Sequence, residues 1–181
     1  MIKNDEGVLV LVPSRLNYFS QLKFGLLSIL SKEGLKRAAF FAPLIGKERA
    51  AYWFYQISTI LIFVYLYFLK ITTDLHWFYA GLATYVLGIL LCLASASNFA
   101  KPAENGINLN GLYRISRNPM YVAYFVYFLG CVLLTQSLLL LAILMVFQIS
   151  AHWIILSEER WCIKTFGEEY RNYMNEVRRY I

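Results

Sequence analysis

The sequence of residues 118–157 is NPMYVAYFVYFLGCVLLTQSLLLLAILMVFQISAHWIILS, a stretch of 40 residues without a formal charge. As one helix it would be about 60 Å long, roughly twice the hydrocarbon thickness of a bilayer. The stretch must therefore fold back on itself, and its only polar cluster near the middle is the Thr-Gln-Ser sequence at 135–137. We predict a transmembrane hairpin that turns at these residues, with helices near 119–134 and 138–156.

Two further charge-free stretches precede this hairpin, at residues 50–69 and 75–100, and a short link at 70–74 joins them. Each is long enough to cross a bilayer as a helix, which takes about 20 residues. Hydrophobic residues make up 59% of the chain and charged residues 15%, whereas a soluble domain has about 25% charged residues. The sequence therefore predicts an all-α integral membrane protein with about four transmembrane helices.

The segments outside these spans have the patterns of surface helices. Apolar side chains share one helical face across residues 16–30, which predicts an N-terminal interfacial helix, with a short fifth span as the alternative. From Glu158 onward the chain is charged and carries an apolar stripe, which predicts a C-terminal amphipathic helix that Gly167 interrupts. The chain divides into segments 1–48, 49–100 and 101–181. The stripe consists of Phe166, Tyr170, Tyr173, Met174, Val177 and Ile181.

The cations indicate the orientation of the chain and its partners. The net charge is +6, and every Lys and Arg except Lys70 lies on one side of the four predicted spans. The positive-inside rule places that side, with both termini, in the cytoplasm. Because the cations flank apolar runs, they favour an anionic bilayer surface over nucleic acid as the partner. The cysteines and histidines have no metal-ligand spacing, and no seam of small residues predicts an oligomeric state.

Charged and capping residues meet where the predicted hairpin begins and ends. Asn118 suits an N-cap and Pro119 a first helical position, so the helix start offers unpaired amides to an anionic group beside Arg117. The hairpin returns Glu158 and Glu159 to the same side of the membrane. Two interpretations stay open at this point. One is a membrane-boundary turn with a structural ion pair, and the other is a polar pocket covered by the C-terminal helix.

Four short motifs follow one another through this half of the chain. They are Gly111-Leu112-Tyr113, Arg117-Asn118-Pro119-Met120-Tyr121, Glu158-Glu159 and Phe166-Gly167-Glu168-Glu169-Tyr170-Arg171-Asn172-Tyr173. Each motif alone is weak, but their order and spacing across a helical hairpin are fairly specific. Together they resemble the superfamily of isoprenylcysteine carboxyl methyltransferases and phospholipid methyltransferases, from about residue 105 to the C-terminus.

This resemblance implies an S-adenosylmethionine-dependent methyltransferase that acts on a lipid or another apolar substrate, such as a phospholipid amine or an isoprenylcysteine. It implies a cofactor pocket within residues 101–181, at the cytoplasmic side and laterally open to the membrane. For catalysis we predict Arg117 and Glu159, with His152 as the other base candidate for an amine acceptor. The resemblance implies that the cofactor contacts Asn105, Gly106, Ile107, Asn108, Tyr113, Asn118, Pro119, Met120, Tyr121 and Glu158.

Two positions depart from the pattern of the isoprenylcysteine enzymes. Asn118 stands at a position where the isoprenylcysteine enzymes look to have a histidine. An asparagine can form hydrogen bonds there, but it cannot titrate near neutral pH. Ile154 stands where those enzymes tend to carry an arginine that meets the substrate carboxylate. Both departures favour a lipid amine or another apolar nucleophile over a prenylcysteine carboxylate.

Two other functions are compatible with the sequence. One is a nicotinamide-dependent membrane lipid or sterol reductase, because such proteins resemble this chain in the C-terminal aromatic and acidic pattern. They are usually longer, with more spans. The other is a non-catalytic membrane scaffold, in which Asn118 and Glu158 would tolerate substitution.

Overall fold

The computed structural model describes residues 42–103 and 106–181. No β-strand occurs in these two ranges beyond one isolated bridge, and the prediction of an all-α protein is confirmed. The predicted interfacial helix at 16–30, and with it most of the 1–48 segment, lies outside the described residues. The elements are α1 (Lys47–Phe68), α2 (Leu75–Phe99), a 3₁₀ turn (Gly111–Arg114), α3 (Pro119–Thr135), α4 (Leu138–Phe166) and α5 (Glu168–Glu176).

The hairpin between α3 and α4 turns at the predicted residues. Gln136 ends α3 in the left-handed conformation, with a φ of 52°. The Ser137 hydroxyl then caps α4 by accepting a hydrogen bond from the Leu140 N–H at 3.2 Å. The link between α1 and α2 joins this turn, because the Thr72 N–H donates to the Leu134 carbonyl at 2.7 Å. Both connections therefore lie at the same end of the helical bundle.

The C-terminal boundary of α4 differs from the prediction. The helix continues to Phe166, well past the predicted end near residue 156. The sequence predicted a separate C-terminal helix from Glu158, but the two predicted helices form one continuous helix. Glu158, Glu159 and Arg160, at the predicted boundary, all bind partners on other elements. Gly167, with a φ of 60°, separates α4 from α5 as predicted.

The lengths and surfaces of the helices are those of a membrane protein. Three of the described helices, α1, α2 and α4, are long and apolar enough to cross a membrane. The apolar helix α3 has 17 residues, at the lower end of the range of about 17–25 that spans a bilayer. Large apolar side chains such as Trp53, Ile60 and Ile149 are exposed on the outer faces. Lipid accommodates such a surface and water does not, so the chain is an integral membrane protein.

Glycines allow α2 and α3 to pack with their backbones in close contact. A Cβ atom on Gly88 would lie 2.5 Å from the Tyr127 backbone nitrogen, and one on Gly130 would lie 2.5 Å from the Tyr85 backbone nitrogen. Small residues serve this purpose in membranes, where helix association depends on van der Waals contact rather than on burial from water. The other main contact runs between α1 and α4. The α3–α4 hairpin therefore joins two closely packed helix pairs.

We predict that Gly88→Ala destabilises the bundle, although alanine favours a helix more than glycine does. The added methyl group would overlap backbone atoms of α3, and overpacking of this kind costs about 1–3 kcal/mol. Thermal unfolding in detergent micelles, followed by tryptophan fluorescence, measures the effect. Leu87→Ala is the control, since Leu87 is exposed on the same helix. Equal unfolding temperatures for the two variants would contradict the packing argument.

Candidate functional site

A cavity of about 500 Å³ lies where the start of α3, the last turns of α4 and helix α5 meet. Its wall contains nearly all of the residues that the sequence predicted for the cofactor and for catalysis. Pro119 is buried in the first turn of α3 but does not line the cavity, and Asn105 lies outside the described residues. His152, the other base candidate, also does not line the cavity, and its Nδ1 lies 2.7 Å from the Tyr180 hydroxyl. The predicted residues in the wall are Gly106, Ile107, Asn108, Tyr113, Arg117, Asn118, Met120, Tyr121, Glu158 and Glu159.

The loop that carries several of these residues is shaped by Asn98 at the end of α2. The Asn98 side-chain oxygen accepts a hydrogen bond from the Leu112 N–H at 3.0 Å. Gly111 adopts a φ of 51°, and a Cβ atom at this position would overlap the Asn98 side chain. Glycine is therefore required at position 111 for two reasons, the left-handed backbone and the close approach. The hydrogen bond to Asn98 therefore fixes the 3₁₀ turn that begins at Gly111, and Tyr113 of this turn lies in the cavity wall.

The start of α3 matches the prediction in position but not in its capping contact. Asn118 is the N-cap residue and Pro119 follows in the first turn, but the Asn118 side chain makes no capping hydrogen bond. Its amide group instead donates to the Arg179 carbonyl at 3.1 Å. The Asn118 N–H donates to the Ser116 hydroxyl at 3.1 Å. Asn118 therefore ties the first turn of α3 to the segment that follows α5.

Glu159 lies between two guanidinium groups at the polar end of the cavity. Arg117 Nη2 is 2.9 Å from Glu159 Oε1, and both side chains are almost fully buried. Arg179 binds the same carboxylate, with Nε at 3.0 Å and Nη2 at 2.8 Å from Oε2. These hydrogen bonds raise the pKa of Arg179 above its ordinary value. Arg117 also donates to the carbonyls of Met174 and Val177, at 2.8 and 3.0 Å.

The neighbours of Glu159 on α4 reach different elements. Glu158 accepts a hydrogen bond from the Tyr121 hydroxyl of α3 at 3.0 Å. Arg160 donates to both carboxylate oxygens of Glu48 at the start of α1, at 2.5 and 2.7 Å. The sequence predicted that Glu158 and Glu159 both approach Arg117. Glu159 binds Arg117 as predicted, whereas Glu158 binds Tyr121 in the first turn of α3.

Helix α5 covers the cavity with an aromatic surface. Tyr170 and Tyr173 are buried and pack with Ile107, which is also buried. The Tyr173 hydroxyl donates to the Tyr113 carbonyl at 2.6 Å and so joins α5 to the 3₁₀ turn. The predicted apolar stripe therefore packs inward at its centre, but Ile181 at its end is exposed, and its assignment to the stripe was wrong.

Sequence reasoning missed several residues of the site. The pairs Arg179–Glu159 and Arg160–Glu48 had no signal in the sequence, because ion pairs between distant segments leave no spacing pattern. Tyr170 and Tyr173 stood in the quoted motifs but were assigned only to the apolar stripe. Further wall residues with no sequence signal are Ala42, Tyr55, Phe99, Trp161 and Cys162.

One wall residue presents a polar atom without a protein partner. The side-chain oxygen of Asn108 is buried and has no hydrogen bond to any described residue. A buried acceptor left in this state costs about 1–3 kcal/mol, and such atoms in folded proteins usually have a partner. A hydrogen-bond donor on a bound molecule would supply that partner, so the cavity has the features of a ligand site.

Comparison with known proteins identifies the part of the chain that contains this cavity. A family model described as phospholipid methyltransferase matches residues 76–169, more than half of the chain. The match begins in α2, covers the loop, the 3₁₀ turn and the α3–α4 hairpin, and ends at the start of α5. No curated protein and no solved structure matches the chain significantly.

We predict that Glu159→Gln loosens helix α5 and the residues after it. Removing the charge from a buried ion pair costs about 3–5 kcal/mol, since the buried partners remain charged. Hydrogen–deuterium exchange of residues 168–181 in detergent micelles should rise, whereas exchange in α2 should not. Glu168→Gln is the control, because Glu168 lies in α5 with an exposed side chain. The same exchange in both variants would show that the two arginines do not hold this segment through Glu159.

Proposed function

The chain belongs to the phospholipid methyltransferase family and is a membrane methyltransferase, and we propose that its methyl donor is S-adenosylmethionine. We further propose that the cavity beside α5 binds this donor and that the acceptor is a lipid or another apolar molecule. The observation that carries the proposal is the cavity wall, where the residues implied by the family resemblance converge around one space.

The polar groups of the wall fit the functional groups of S-adenosylmethionine. The buried Asn108 oxygen needs a donor, and an amino or hydroxyl group of the cofactor supplies one. The half-buried Glu158 carboxylate suits the ammonium group or ribose hydroxyls. The Met120 N–H in the first turn of α3 suits a carboxylate, because Met120 lies in the wall and the Tyr121 and Val122 N–H groups already donate to the Asn118 carbonyl. When bound, the cofactor would supply a methyl group activated by a positively charged sulfur.

The aromatic residues of the wall suit a cation and exclude water. Tyr113, Tyr121 and Tyr173 line the cavity, and aromatic faces attract a positive charge within about 6 Å of the ring centre. The buried tyrosines of α5 close the cavity on the side away from the membrane helices. Methyl transfer needs two reactants held in line, and such positioning supplies up to about 7–11 kcal/mol of the barrier. We propose that this positioning is the main contribution of the protein.

The contacts of Arg117 and Glu159 favour a supporting role. Glu159 accepts hydrogen bonds from two guanidinium groups. Arg117 donates to Glu159, to the Met174 carbonyl in the last turn of α5 and to the Val177 carbonyl directly after α5. We propose that this pair shapes the polar end of the cavity. Their direct participation in the reaction stays a prediction from the sequence.

Two residues bear on the nature of the acceptor. Ile154 is fully buried and is not part of the cavity wall, so the arginine that would meet a prenylcysteine carboxylate has no counterpart at this position. Glu158 brings a carboxylate to the wall, which suits a cationic group better than an anionic one. We propose that the acceptor is a lipid amine, which attacks the methyl group in its neutral form after its ammonium proton has passed to water, while the donor sulfur leaves as a neutral thioether. We also propose that the cavity faces the cytoplasm, as the distribution of Lys and Arg predicts.

The first test of this function is calorimetric titration of the detergent-purified protein with S-adenosylmethionine and with S-adenosylhomocysteine. We expect micromolar binding, and we expect Glu158→Ala to weaken it by at least about tenfold, because a hydrogen bond to a charged group contributes about 1.5–3 kcal/mol. Glu176→Gln is the control, since Glu176 is exposed on α5. Normal binding by Glu158→Ala would refute the site. No binding by the folded wild type would refute the donor, and nicotinamide cofactors would be titrated next.

The second test concerns the acceptor. Transfer of a radiolabelled methyl group should label a phospholipid with an amine headgroup, and it should not label a farnesylcysteine analogue. Ile154→Arg should not create activity toward the analogue, because position 154 does not face the cavity. Turnover of the farnesylcysteine analogue by either protein would contradict the proposed substrate class.

A further inference from the structure

The residues that follow α5 run beside the start of α3. We name residues 177–181 the closing segment. An isolated parallel bridge joins Ser116 to Arg178, and the Arg117 N–H donates to the Arg178 carbonyl at 2.9 Å. The Ser116 hydroxyl and the Asn118 amide group both donate to the Arg179 carbonyl, at 3.4 and 3.1 Å. The backbone of the closing segment is therefore fixed against the residues that precede α3.

The side chain of Arg179 attaches the closing segment to α4 as well. Its guanidinium group binds Glu159 of α4 through Nε and Nη2. Arg179 thus connects α3 to α4 through two different parts of the residue, its carbonyl and its side chain. Arg179 does not line the cavity, whereas two of its partners, Asn118 and Glu159, do.

We propose that Arg179 is a positioning residue for the methyl-donor site, whose side chain acts through Glu159 to close the polar end of the cavity. This inference rests on the proposed function. Among the described residues, Arg179 alone donates to Oε2 of Glu159, whereas both Arg179 and Arg117 donate to Oε1. Without the Arg179 side chain, Glu159 loses the bonds to Oε2, whereas Asn118 keeps its backbone acceptor. The Glu159 carboxylate in the wall then changes orientation.

The neighbouring residue Arg178 provides a matched control. Its side chain is exposed, and its contacts with Ser116 and Arg117 are made by the backbone, so Arg178→Gln keeps them. Arg178→Gln and Arg179→Gln remove the same charge from adjacent positions of the closing segment. A difference between the two variants therefore reports the contact with Glu159 and not the net charge.

The experiment measures S-adenosylhomocysteine in the detergent-purified full chain, by its dissociation constant in calorimetry and by its dissociation rate in stopped-flow tryptophan fluorescence. We expect Arg179→Gln to bind about tenfold more weakly and to release the ligand faster, the scale of a lost charge-assisted hydrogen bond. We expect Arg178→Gln to match the wild type. Arg179→Lys keeps the charge but not the two-pronged geometry, so we expect partial recovery of affinity.

Thermal unfolding of the ligand-free variants separates positioning from stability. If Arg179→Gln lowers the unfolding temperature but leaves the dissociation constant and the dissociation rate unchanged, the inference is wrong and Arg179 is structural only. If Arg179→Gln does not fold, wild-type affinity in Arg179→Lys overturns the inference and weakened affinity supports it. If the folded wild type does not bind S-adenosylhomocysteine, the proposed function itself fails, and the inference fails with it.

Discussion

The cavity depends on one buried carboxylate that two guanidinium groups share. Glu159 binds Arg117 at the start of α3 and Arg179 in the closing segment. Burying such charges costs several kcal/mol for each ion, and only good geometry with all donors and acceptors satisfied compensates for that cost. Arg117 meets this condition by also donating to two carbonyls at the C-terminal end of α5, those of Met174 and Val177. The ion cluster therefore does more to fix where the elements lie than to add net stability.

The continuation of α4 past the membrane-spanning part makes this arrangement possible. Successive residues of an α-helix point about 100° apart, so three consecutive side chains of one helix face three directions. Glu158 reaches Tyr121, Glu159 reaches Arg117 and Arg179, and Arg160 reaches Glu48. Had a separate helix begun at Glu158, as the sequence predicted, these side chains would not have been fixed relative to the membrane-spanning part of α4. The last turns of α4 therefore serve as the axis around which α1, α3 and α5 are placed.

The parts of the fold that were predictable from the sequence are those that bilayer thickness dictates. A charge-free stretch of 40 residues must turn, and the turn at residues 135–137 follows from the only polar cluster near its centre. The site residues, in contrast, came from short motifs and not from periodicity. Arg179 and Glu48 were beyond prediction, since their partners lie on distant elements and one sequence shows no pairing. The capping role of Asn118 failed for a related reason, because a distant carbonyl competes for its amide group.

The position of the cavity relates the fold to methyl transfer between a polar donor and an apolar acceptor. Its wall combines charged groups from the end of α4 with aromatic side chains from helices that lie in the membrane, such as Tyr55 of α1 and Tyr124 of α3. In the proposed function, a polar donor would bind at the charged end of the cavity and an apolar acceptor at the aromatic end. Alignment of the two reactants then requires a rigid junction between these ends. Tyr121 forms that junction, since its ring lies on a membrane helix and its hydroxyl is held by Glu158.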